Sequence, residues 1–425
     1  MAQPKVLICG AGIAGQALAF WLSKSHFNVT VIERFPVLRS TGLQLDLRGL
    51  GIEVMKRMGL EEAFRAKSVR EQGLEIVDTY DKRWAYFPAN KSGKGLQGFT
   101  TDFEIMRKDL CEILHEATKN RVKYTFGTTI ESFTQHDDVV DVTFSDGEKD
   151  QFDIVVGTDG QASRTRKAML GSDAEDPTLY LGAYIAYFTI PQPAEKGKDY
   201  NARFYLATEK RFIFTRRNED SRVQIYMACK TDAEWMKDIR KGDTEREKQA
   251  FLEIFKRAGW ETDAILKEMM ETDDFYCERL GVVQLDAWSD GRVALVGDAA
   301  FCPSASTGMG TTSSMVGAYV LAGELEKHCR ESGKDGIPTA LKAYDETFRP
   351  FMNQVQRGLT QGDSFWGRLP TSSFGVTVAS VFMWLAMLLR LDVIGKITCQ
   401  KSDNTHSDPA SRRNFTTQAS ISTRE

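Results

Sequence analysis

The first part of the chain alternates between short apolar runs and a segment with helical spacing. Residues 5–9 (KVLIC) form an apolar run that ends at a glycine, and residues 29–32 form a second run. Between them, apolar side chains recur at Ile13, Ala17 and Phe20, which is the spacing of one helix face. Short apolar runs bounded by glycine are typical of buried strands. The pattern predicts a strand, a helix and a second strand.

The middle of the chain continues this alternation. Residues 49–58 and 105–117 have helical spacing, and residues 139–144 and 154–157 read as strands. We expect these segments to cover and extend the first sheet.

The sequence pattern changes between residues 179 and 230, where segments rich in β-branched and aromatic residues, such as RFIFTRR and RVQIYMA, are separated by polar turns. Such segments predict an inserted antiparallel sheet. Residues 244–270 read as helix. A buried strand follows at 293–296, and a glycine-rich turn then leads into a long helix that reaches about residue 328. The first domain is therefore expected to be completed by sequence-distant pieces.

The C-terminal part contains an uncharged stretch, residues 372–389, which is near the lower length limit for a membrane-spanning helix. We interpret it as a buried or interface helix, with a membrane contact as the less favoured alternative. Residues 401–425 are rich in Ser, Thr and Asn and are expected to be a disordered tail.

Composition and charge exclude several classes of function. The chain has 425 residues and a formal net charge of −4, so we expect no nucleic-acid partner. Its seven cysteines and five histidines are scattered without a C-x-x-C pair, which argues against a zinc site or a disulfide framework. The first residues lack the pattern of a secretory signal. These features predict a cytoplasmic location, with peripheral membrane association as the alternative.

A glycine motif, GAGIAG, places Gly10, Gly12 and Gly15 between the first predicted strand and helix. Glycines at these positions permit a tight turn, close approach of a pyrophosphate, and close packing of helix on strand. Glu33 follows at the end of the second predicted strand, where a carboxylate can accept hydrogen bonds from ribose hydroxyls. With strand, helix and Glu33 in register, we predict a dinucleotide site. The motif alone leaves FAD and NAD open.

Two further segments leave apolar strands at polar turns. One is VVGTDGQASRTR, which contains Asp159, and the other is VALVGDAAFCPSASTGMGTTSS, which contains Asp298 and Gly308. Together with GAGIAG, they resemble the motif set of the flavoprotein monooxygenases that include para-hydroxybenzoate hydroxylase, the tetracycline-modifying monooxygenases and many fungal secondary-metabolite oxygenases. The resemblance extends over about residues 5–345.

The resemblance implies a mixed α/β (α+β) fold, in which a Rossmann-like FAD-binding domain is interleaved with an antiparallel-sheet substrate domain and followed by C-terminal helices. The expected FAD-binding domain comprises residues 1–75, 100–175 and 280–345. The expected substrate domain comprises residues 76–99 and 176–279, and the C-terminal helical region comprises residues 346–400.

The resemblance also implies roles for single residues. Asp298 would accept hydrogen bonds from the ribityl chain of FAD, and the helix opening near Gly310 would direct free N–H groups at the flavin pyrimidine edge. Arg107 would contact FAD, Gly42 would line it, and Asp159 would touch the pyrophosphate and assist NAD(P)H. The complete expected FAD site is Gly10, Gly12, Ala14, Gly15, Glu33, Arg34, Gly42, Arg107, Asp159, Asp298, Gly308, Met309, Gly310 and Thr311.

The chain departs from the family pattern at three positions. Phe301 stands where relatives often have histidine, Thr312 replaces an asparagine, and Phe188 stands where many relatives have arginine. These differences leave the substrate position and any catalytic acid or base unassigned. No metal site is expected.

The family chemistry implies that NADPH, or NADH, reduces FAD and that the flavin activates O2 as a C4a-hydroperoxide, which delivers one oxygen atom to an aromatic or polyketide-like molecule. An apolar pocket would protect this chemistry from water. Aromatic residues of the predicted insertion are candidates for its wall, with core packing expected for about half of them: Tyr184, Tyr187, Phe204, Tyr205, Phe212, Phe214 and Tyr226. The alternatives are another FAD-linked reductase or halogenase, and a noncatalytic FAD-binding protein.

Overall fold

The computed structural model describes most of the chain with its side chains. The described residues are 3–38, 43–90, 101–171, 173–194, 200–359 and 365–389. Gly42 and the C-terminal tail 401–425 lie outside them, so what was predicted for these positions remains a prediction.

The strands are short near the two ends of the described chain and long between residues 178 and 283. Their bounds are β1 (Lys5–Cys9), β2 (Asn28–Glu33), β3 (Gln44–Asp46), β4 (Gly73–Val77), β5 (Arg83–Pro88), β6 (Glu104–Met106), β7 (Lys123–Phe126), β8 (Ile130–Gln135), β9 (Val140–Phe144), β10 (Lys149–Phe152), β11 (Ile154–Gly157), β12 (Thr178–Pro191), β13 (Asn201–Ala207), β14 (Arg211–Arg216), β15 (Arg222–Lys230), β16 (Tyr276–Val283), β17 (Ser289–Asp290) and β18 (Val293–Leu295).

The helices alternate with strands at first and dominate after residue 310. Their bounds are α1 (Ile13–Leu22), α2 (Leu50–Arg57), α3 (Glu61–Ala66), α4 (Arg107–Glu116), α5 (Arg164–Leu170), α6 (Glu234–Lys237), α7 (Thr244–Phe255), α8 (Thr262–Glu271), α9 (Asp298–Phe301), α10 (Gly310–Ser332), α11 (Ile337–Gln356), α12 (Phe365–Arg368) and α13 (Ser373–Leu388).

A six-stranded sheet forms the centre of the first layer, in the order β17-β18-β11-β1-β2-β7. All its pairs are parallel except β17 with β18. Val6, Leu7 and Ile8 of β1 are fully buried, because α1 and α10 pack together over one face and other strands cover the opposite face. The predicted β-α-β opening and the return of the chain at β18 are confirmed.

A seven-stranded sheet forms the second layer, in the order β16-β12-β15-β14-β13-β4-β5. Its pairs are antiparallel except β13 with β4, which confirms the predicted antiparallel insertion. The expected domain boundaries at 75/76 and 279/280 fall inside β4 and β16. α7 and α8 pack beside this sheet, against its β16 and β12 strands.

Three predicted elements were wrong in detail. The helix predicted at 244–270 is two helices, α7 and α8, because Arg257 and Trp260 between them have positive φ values that interrupt the helix. The strand predicted at 139–144 does not extend the six-stranded sheet. It is β9, the middle strand of a separate antiparallel sheet with β8 and β10. Its alternating burial puts Val140 and Val142 against Leu7 and Val155, so it covers the parallel sheet as another layer. The helix predicted from 105 begins only at Arg107, because the residues before it pair with β3 as β6.

The apolar segment at 372–389 forms α13, a helix with two different faces. Met383 and Met387 pack against a small cluster on β4 and β5, whereas Phe374 and Phe382 are 80% and 66% exposed. The favoured prediction of a helix packed on the protein is thus confirmed for one face. Across the described residues, none of the helices has the length and apolar character needed to cross a bilayer.

The aromatic cluster around Phe348 links α11 to the parallel sheet and gives the first prediction. The ring of Phe348 lies 5.2 Å from that of Phe301 and 5.9 Å from that of Trp288, and it is fully buried. Phe348→Ala is expected to lower the free energy of unfolding by about 3–5 kcal/mol, because it removes apolar contacts and leaves a cavity. The measurement is urea unfolding followed by tryptophan fluorescence.

The matched control is Phe374→Ala on the exposed side of α13, which should change the free energy of unfolding by no more than about 0.5 kcal/mol. Equal losses for the two variants would contradict the assignment of Phe348 to the core.

Candidate functional site

A cavity of about 2040 Å³ is lined by residues of the parallel sheet, of the seven-stranded sheet and of α13. Pockets for one drug-sized ligand reach about 1,000 Å³. This cavity is about twice that size, so it has room for a large cofactor and a substrate together. Its lining has two parts: we call the turns and helix N-termini of the parallel-sheet layer its polar end, and the aromatic side chains of the seven-stranded sheet its aromatic end.

The glycine turn after β1 forms part of the polar end. Gly10 has a φ of +119°, and a Cβ atom there would lie 2.8 Å from the carbonyl oxygen of Thr158. A Cβ atom on Gly15 would lie 2.0 Å from the carbonyl oxygen of Gly10. Both glycines are therefore required by the polypeptide itself. Gly12 is different, since its Cβ would meet only Arg107, at an ordinary 3.7 Å.

Gly12 and Ala14, at the start of α1, line the cavity. The first N–H groups of a helix have no partner inside the helix, so the beginning of α1 offers donors and a partial positive charge. This arrangement suits a phosphate group. The geometry agrees with the phosphate-binding role predicted for the GAGIAG motif.

Glu33, at the end of β2, braces the glycine turn. Its Oε2 atom accepts a hydrogen bond from the N–H of Ala11 at 2.9 Å, and its Oε1 atom accepts one from the N–H of Phe35 at 3.1 Å. The next residue, Arg34, lines the cavity. The carboxylate thus already bonds to backbone N–H groups, and the predicted ribose contact remains a prediction.

Arg107 and Asp298 come together at the cavity although they are far apart in sequence. Arg107 is the first residue of α4, and its N–H donates to the carbonyl of Leu43 at 2.8 Å. Its buried Nη1 atom has no hydrogen-bond partner among the described residues. Burial raises the pKa of Asp298, and the positive charge of Arg107 opposes this shift. The pair provides a donor and an acceptor to a ligand in the cavity.

The turn after β18 and the start of α10 complete this end. A Cβ on Gly297 would lie 2.8 Å from the Cβ of Ala14, so this turn packs directly on α1. Gly308 has a φ of +63° and, like Gly310 and Thr311, lines the cavity. Met309 is the N-cap of α10, whose positive end therefore adjoins the cavity.

Asp159 lines the cavity but also caps α5. Its carboxylate accepts hydrogen bonds from the N–H of Arg164 at 2.8 Å and from the N–H of Thr165 at 3.0 Å. The nearby side chain of Arg166 in α5 is only 5% exposed and donates to the carbonyls of Ala299 and Gln161, so it stabilises the fold.

The aromatic end follows the alternation of strand residues. Five of the seven aromatic residues proposed for the wall line the cavity, namely Tyr187, Phe204, Phe212, Phe214 and Tyr226. Tyr184 and Tyr205 belong to the core on the opposite face. Alternate residues of a strand point to opposite faces, so this division has a simple cause. α13 adds to the wall through Met383 on its packed side and through Phe382, whose side chain borders the cavity and is still 66% exposed.

Arg216 lines the cavity, although none of the sequence motifs contains it. It lies at the end of β14 on the same face as Phe212 and Phe214, so the period-two pattern of RFIFTR placed it there. Its two carboxylate partners, Glu71 and Glu104, are more than 100 residues away in sequence. Local pattern could not have connected them.

The side chains at the three positions that depart from the family pattern are all buried in the interior. Phe301 packs against Trp288, and Phe188 stacks on Phe275. Thr312 is buried, and its Oγ1 atom accepts a hydrogen bond from the N–H of Arg48 at 2.9 Å. None of these three side chains lines the cavity.

The observed cavity fits the flavin nucleotide expected from the resemblance. The buried Nη1 of Arg107 needs an acceptor, and the glycine turn and two helix N-termini provide donors for phosphate and for a polar ring edge. Gly42 lies outside the described residues, but its neighbours Leu43 and Gln44 line the same cavity. Within the described residues no group of His, Cys, Asp and Glu could hold a metal ion.

Comparison with known proteins agrees with this geometry. Residues 3–358 match the family described as the FAD binding domain. The chain is 47% identical over 408 residues to an FAD-dependent monooxygenase (asL4) of Sarocladium schorii, covering 93% of this chain and 95% of that protein. It is 41% identical over 393 residues to a flavin-dependent monooxygenase (eupH) of Phoma sp, covering 88% and 90%.

Among solved structures, the tetracycline destructase Tet(55) is similar, with a TM-score of 0.74 and 29% sequence identity. The alignment covers 91% of this chain and 96% of that one. The similarity therefore includes both large sheets.

The different surroundings of Gly15 and Gly12 give a prediction that separates structure from ligand binding. Gly15→Ala is expected to lower the free energy of unfolding by about 1–3 kcal/mol or more, because the new Cβ collides with the Gly10 carbonyl. Gly12→Ala has room against the polypeptide and should keep stability within about 1 kcal/mol. Unfolding is measured on cofactor-free protein.

Flavin affinity is then measured by fluorescence quenching of added FAD. Gly12→Ala should weaken it, since the methyl group keeps the pyrophosphate from the backbone. Equal stability of the two variants, or unchanged flavin affinity in Gly12→Ala, would contradict these assignments.

Proposed function

This chain belongs to the FAD-binding-domain family of FAD-dependent monooxygenases, and we propose that it inserts one oxygen atom of O2 into an aromatic or polyketide-like small molecule, with NADPH or NADH as electron donor. The second oxygen atom leaves as water. The observation that carries the proposal is one cavity with a polar nucleotide-like end and an aromatic end.

The residues at the polar end would hold FAD. The turn at Gly12 and the start of α1 would bind the pyrophosphate, and Asp298 would accept hydrogen bonds from the ribityl chain. The N-terminus of α10 would face the pyrimidine edge. Arg107 supplies a donor that lacks a partner among the described residues. Glu33 would contact the ribose, and Asp159 would contact the pyrophosphate. Each carboxylate already accepts a hydrogen bond from a backbone N–H group.

When bound, FAD would accept a hydride from NAD(P)H and activate O2, which is chemistry that side chains alone do not supply. The residues of this chain would orient the substrate and exclude water. Phe212, Phe214 and Tyr226 provide the apolar surface for this purpose. Exclusion of water favours transfer of oxygen to the substrate over loss of the oxidant as H2O2.

The aromatic lining of the cavity supports a flat, ring-containing substrate. The aromatic rings offer stacking surfaces, and the volume of the cavity exceeds what one drug-sized ligand requires. The similar tetracycline destructase carries the name of a polycyclic compound. Two fungal relatives are named monooxygenases, which is consistent with a place in secondary metabolism.

We place the activity in the cytoplasm, where nicotinamide donors are plentiful. The six cysteines of the described ranges are all free, as expected in a reducing compartment. Peripheral membrane contact through α13 remains the less favoured alternative. We also retain the division into an FAD-binding domain, a substrate domain of residues 76–99 and 176–279, and a C-terminal helical region.

Oxygen uptake tests the proposal directly. Purified, flavin-loaded protein is assayed with NADPH, and separately with NADH, against polycyclic phenols that include tetracycline. We expect substrate-dependent oxygen consumption and a product heavier by one oxygen atom in mass spectrometry. A yellow protein that oxidises the donor without product in the whole panel would favour a reductase, and a yellow protein that leaves the donor unoxidised would favour a noncatalytic role.

Asp298 gives a prediction for cofactor retention. Asp298→Ala should weaken FAD binding by about 10- to 100-fold, the effect of losing one charge-assisted hydrogen bond. Flavin content after gel filtration and the dissociation constant for added FAD measure this loss. Asp298→Asn keeps an acceptor oxygen and should lose less. Unchanged flavin content in Asp298→Ala would contradict the ribityl role.

A further inference from the structure

Behind Arg216, the structure contains a buried cluster that the proposed function does not use. Arg216 donates from Nε and Nη2 to the two carboxylate oxygens of Glu71, at 2.8 and 2.9 Å, and from Nη2 to Glu104. Glu71 is completely buried, and Glu104 is 1% exposed. Two carboxylates therefore share one guanidinium in the interior.

Gln44 completes the cluster from β3. Its Nε2 atom donates to Glu104 at 2.6 Å and to Glu71 at 3.3 Å, while the N–H of Thr101 donates to the other oxygen of Glu104 at 2.9 Å. Arg216 and Gln44 line the cavity. The two glutamates lie behind them and act on the cavity through them.

The charges of the cluster do not balance when both glutamates are ionised. Within the part of the chain that the structure describes, Arg216 contributes one positive charge and Glu71 and Glu104 contribute two negative charges to the cluster. Their sum is a net charge of −1 in a buried position, which is costly. Asp46 lies opposite Glu104 in the β3–β6 pair and adds a further negative charge, although it is paired with Arg48. Tyr226 also faces the cluster.

The directions of the pKa shifts of Glu104 and Arg216 agree with this sum of charges. Burial raises the pKa of Glu104 to about 7; Arg216 opposes the rise, and Glu71 and Asp46 add to it. Burial disfavours the charge of Arg216, but Glu104 and Glu71 outweigh this effect and raise its pKa well above the usual value. Burial likewise raises the pKa of Tyr226 to about 12, so its phenol stays neutral.

We propose that Glu71 and Glu104 are positioning residues that set the charge of the cavity wall formed by Arg216 and Gln44. While the two glutamates together hold one proton, the cluster is neutral and the wall accepts a ligand with an acidic oxygen group, such as a carboxylate or an enolate. When that proton is lost, the cluster carries one negative charge and repels such a ligand. The inference rests on the proposed use of this cavity for substrate.

The sign of the pH dependence follows from the same count. Glu104 is protonated below neutral pH and ionised above it, so affinity for an anionic ligand should fall as pH rises through about 7. Replacing Glu104 with glutamine keeps the cluster neutral at every pH in this range. Replacing Glu71 with glutamine removes the like charge, so Glu104 then ionises at a lower pH beside Arg216.

The first experiment detects the proton itself. Infrared difference spectra of the protein between pH 6 and pH 8 should show loss of a protonated-carboxyl band in the wild type. Subtracting the Glu104→Gln difference spectrum removes the contributions of other carboxyls and should isolate that band. Glu71→Gln should lack the band change in this range, and it provides a second variant if Glu104→Gln does not fold.

The matched control is Glu75→Gln. Glu75 is a largely enclosed carboxylate on β4 that pairs with Arg83 and Arg203, away from the cavity. It should keep the wild-type band change. A wild type without the band, or a band that persists in full in Glu104→Gln, would overturn the proposal.

The second experiment uses two probes of nearly equal shape. Isothermal titration measures binding of benzoate, which is anionic from pH 6 to 8, and of benzamide, which is neutral. For the wild type, the benzoate association constant should fall about five- to tenfold over this range, the effect of one added charge about 6–8 Å away at an effective dielectric constant of about 40. Benzamide affinity should change less than twofold.

Glu104→Gln and Glu71→Gln should lose the benzoate dependence, and Glu75→Gln should keep it. A fall that survives in Glu104→Gln would overturn the proposal. The infrared result does not require turnover or bound flavin. A failure of the proposed oxygenase activity is therefore distinguishable from a failure of this inference.

Discussion

The close contact between α1 and the strand ends beneath it is the constraint on which the site depends. Gly15 brings the helix against the Gly10 carbonyl and Thr158, and Gly297 brings the next turn against Ala14. A single methyl group at Gly10, Gly15 or Gly297 would come within 3 Å of other atoms. Because three chain segments approach each other this closely, the free N–H groups at their turns and helix starts lie around the same cavity as Asp298. The cofactor end of the cavity is a product of backbone packing.

Much of the fold followed from local pattern, because buried parallel strands and one-sided antiparallel strands leave different signatures. The opening unit, the strand at β18 and the antiparallel insertion were all predictable in this way. The assignment of residues 139–144 failed for a physical reason: alternation shows that one face is buried, but it does not say which partner buries it.

The parts of the site that contain motif glycines or the start of a helix were predictable from sequence. The parts formed by side-chain contacts between residues far apart in sequence were not. Gly12, Arg107 and Asp298 line the cavity, and their contacts with FAD stay predictions. Glu33 lies at its strand end, but backbone N–H groups already engage its oxygens. The Arg216 cluster joins β14, β6 and the segment before β4, and no spacing in the sequence relates these three pieces.

The position of α13 has a consequence for how relatives of this chain can diverge. This helix borders the aromatic end of the cavity and rests on β5 and β13, while the packing of α1 against the strand ends is remote from it. Exchanging bulky for small side chains along its inner side would therefore resize the cavity without disturbing the crowded turns at its polar end. Adaptation to a new compound would then require changes in one C-terminal segment and none in the proposed cofactor site.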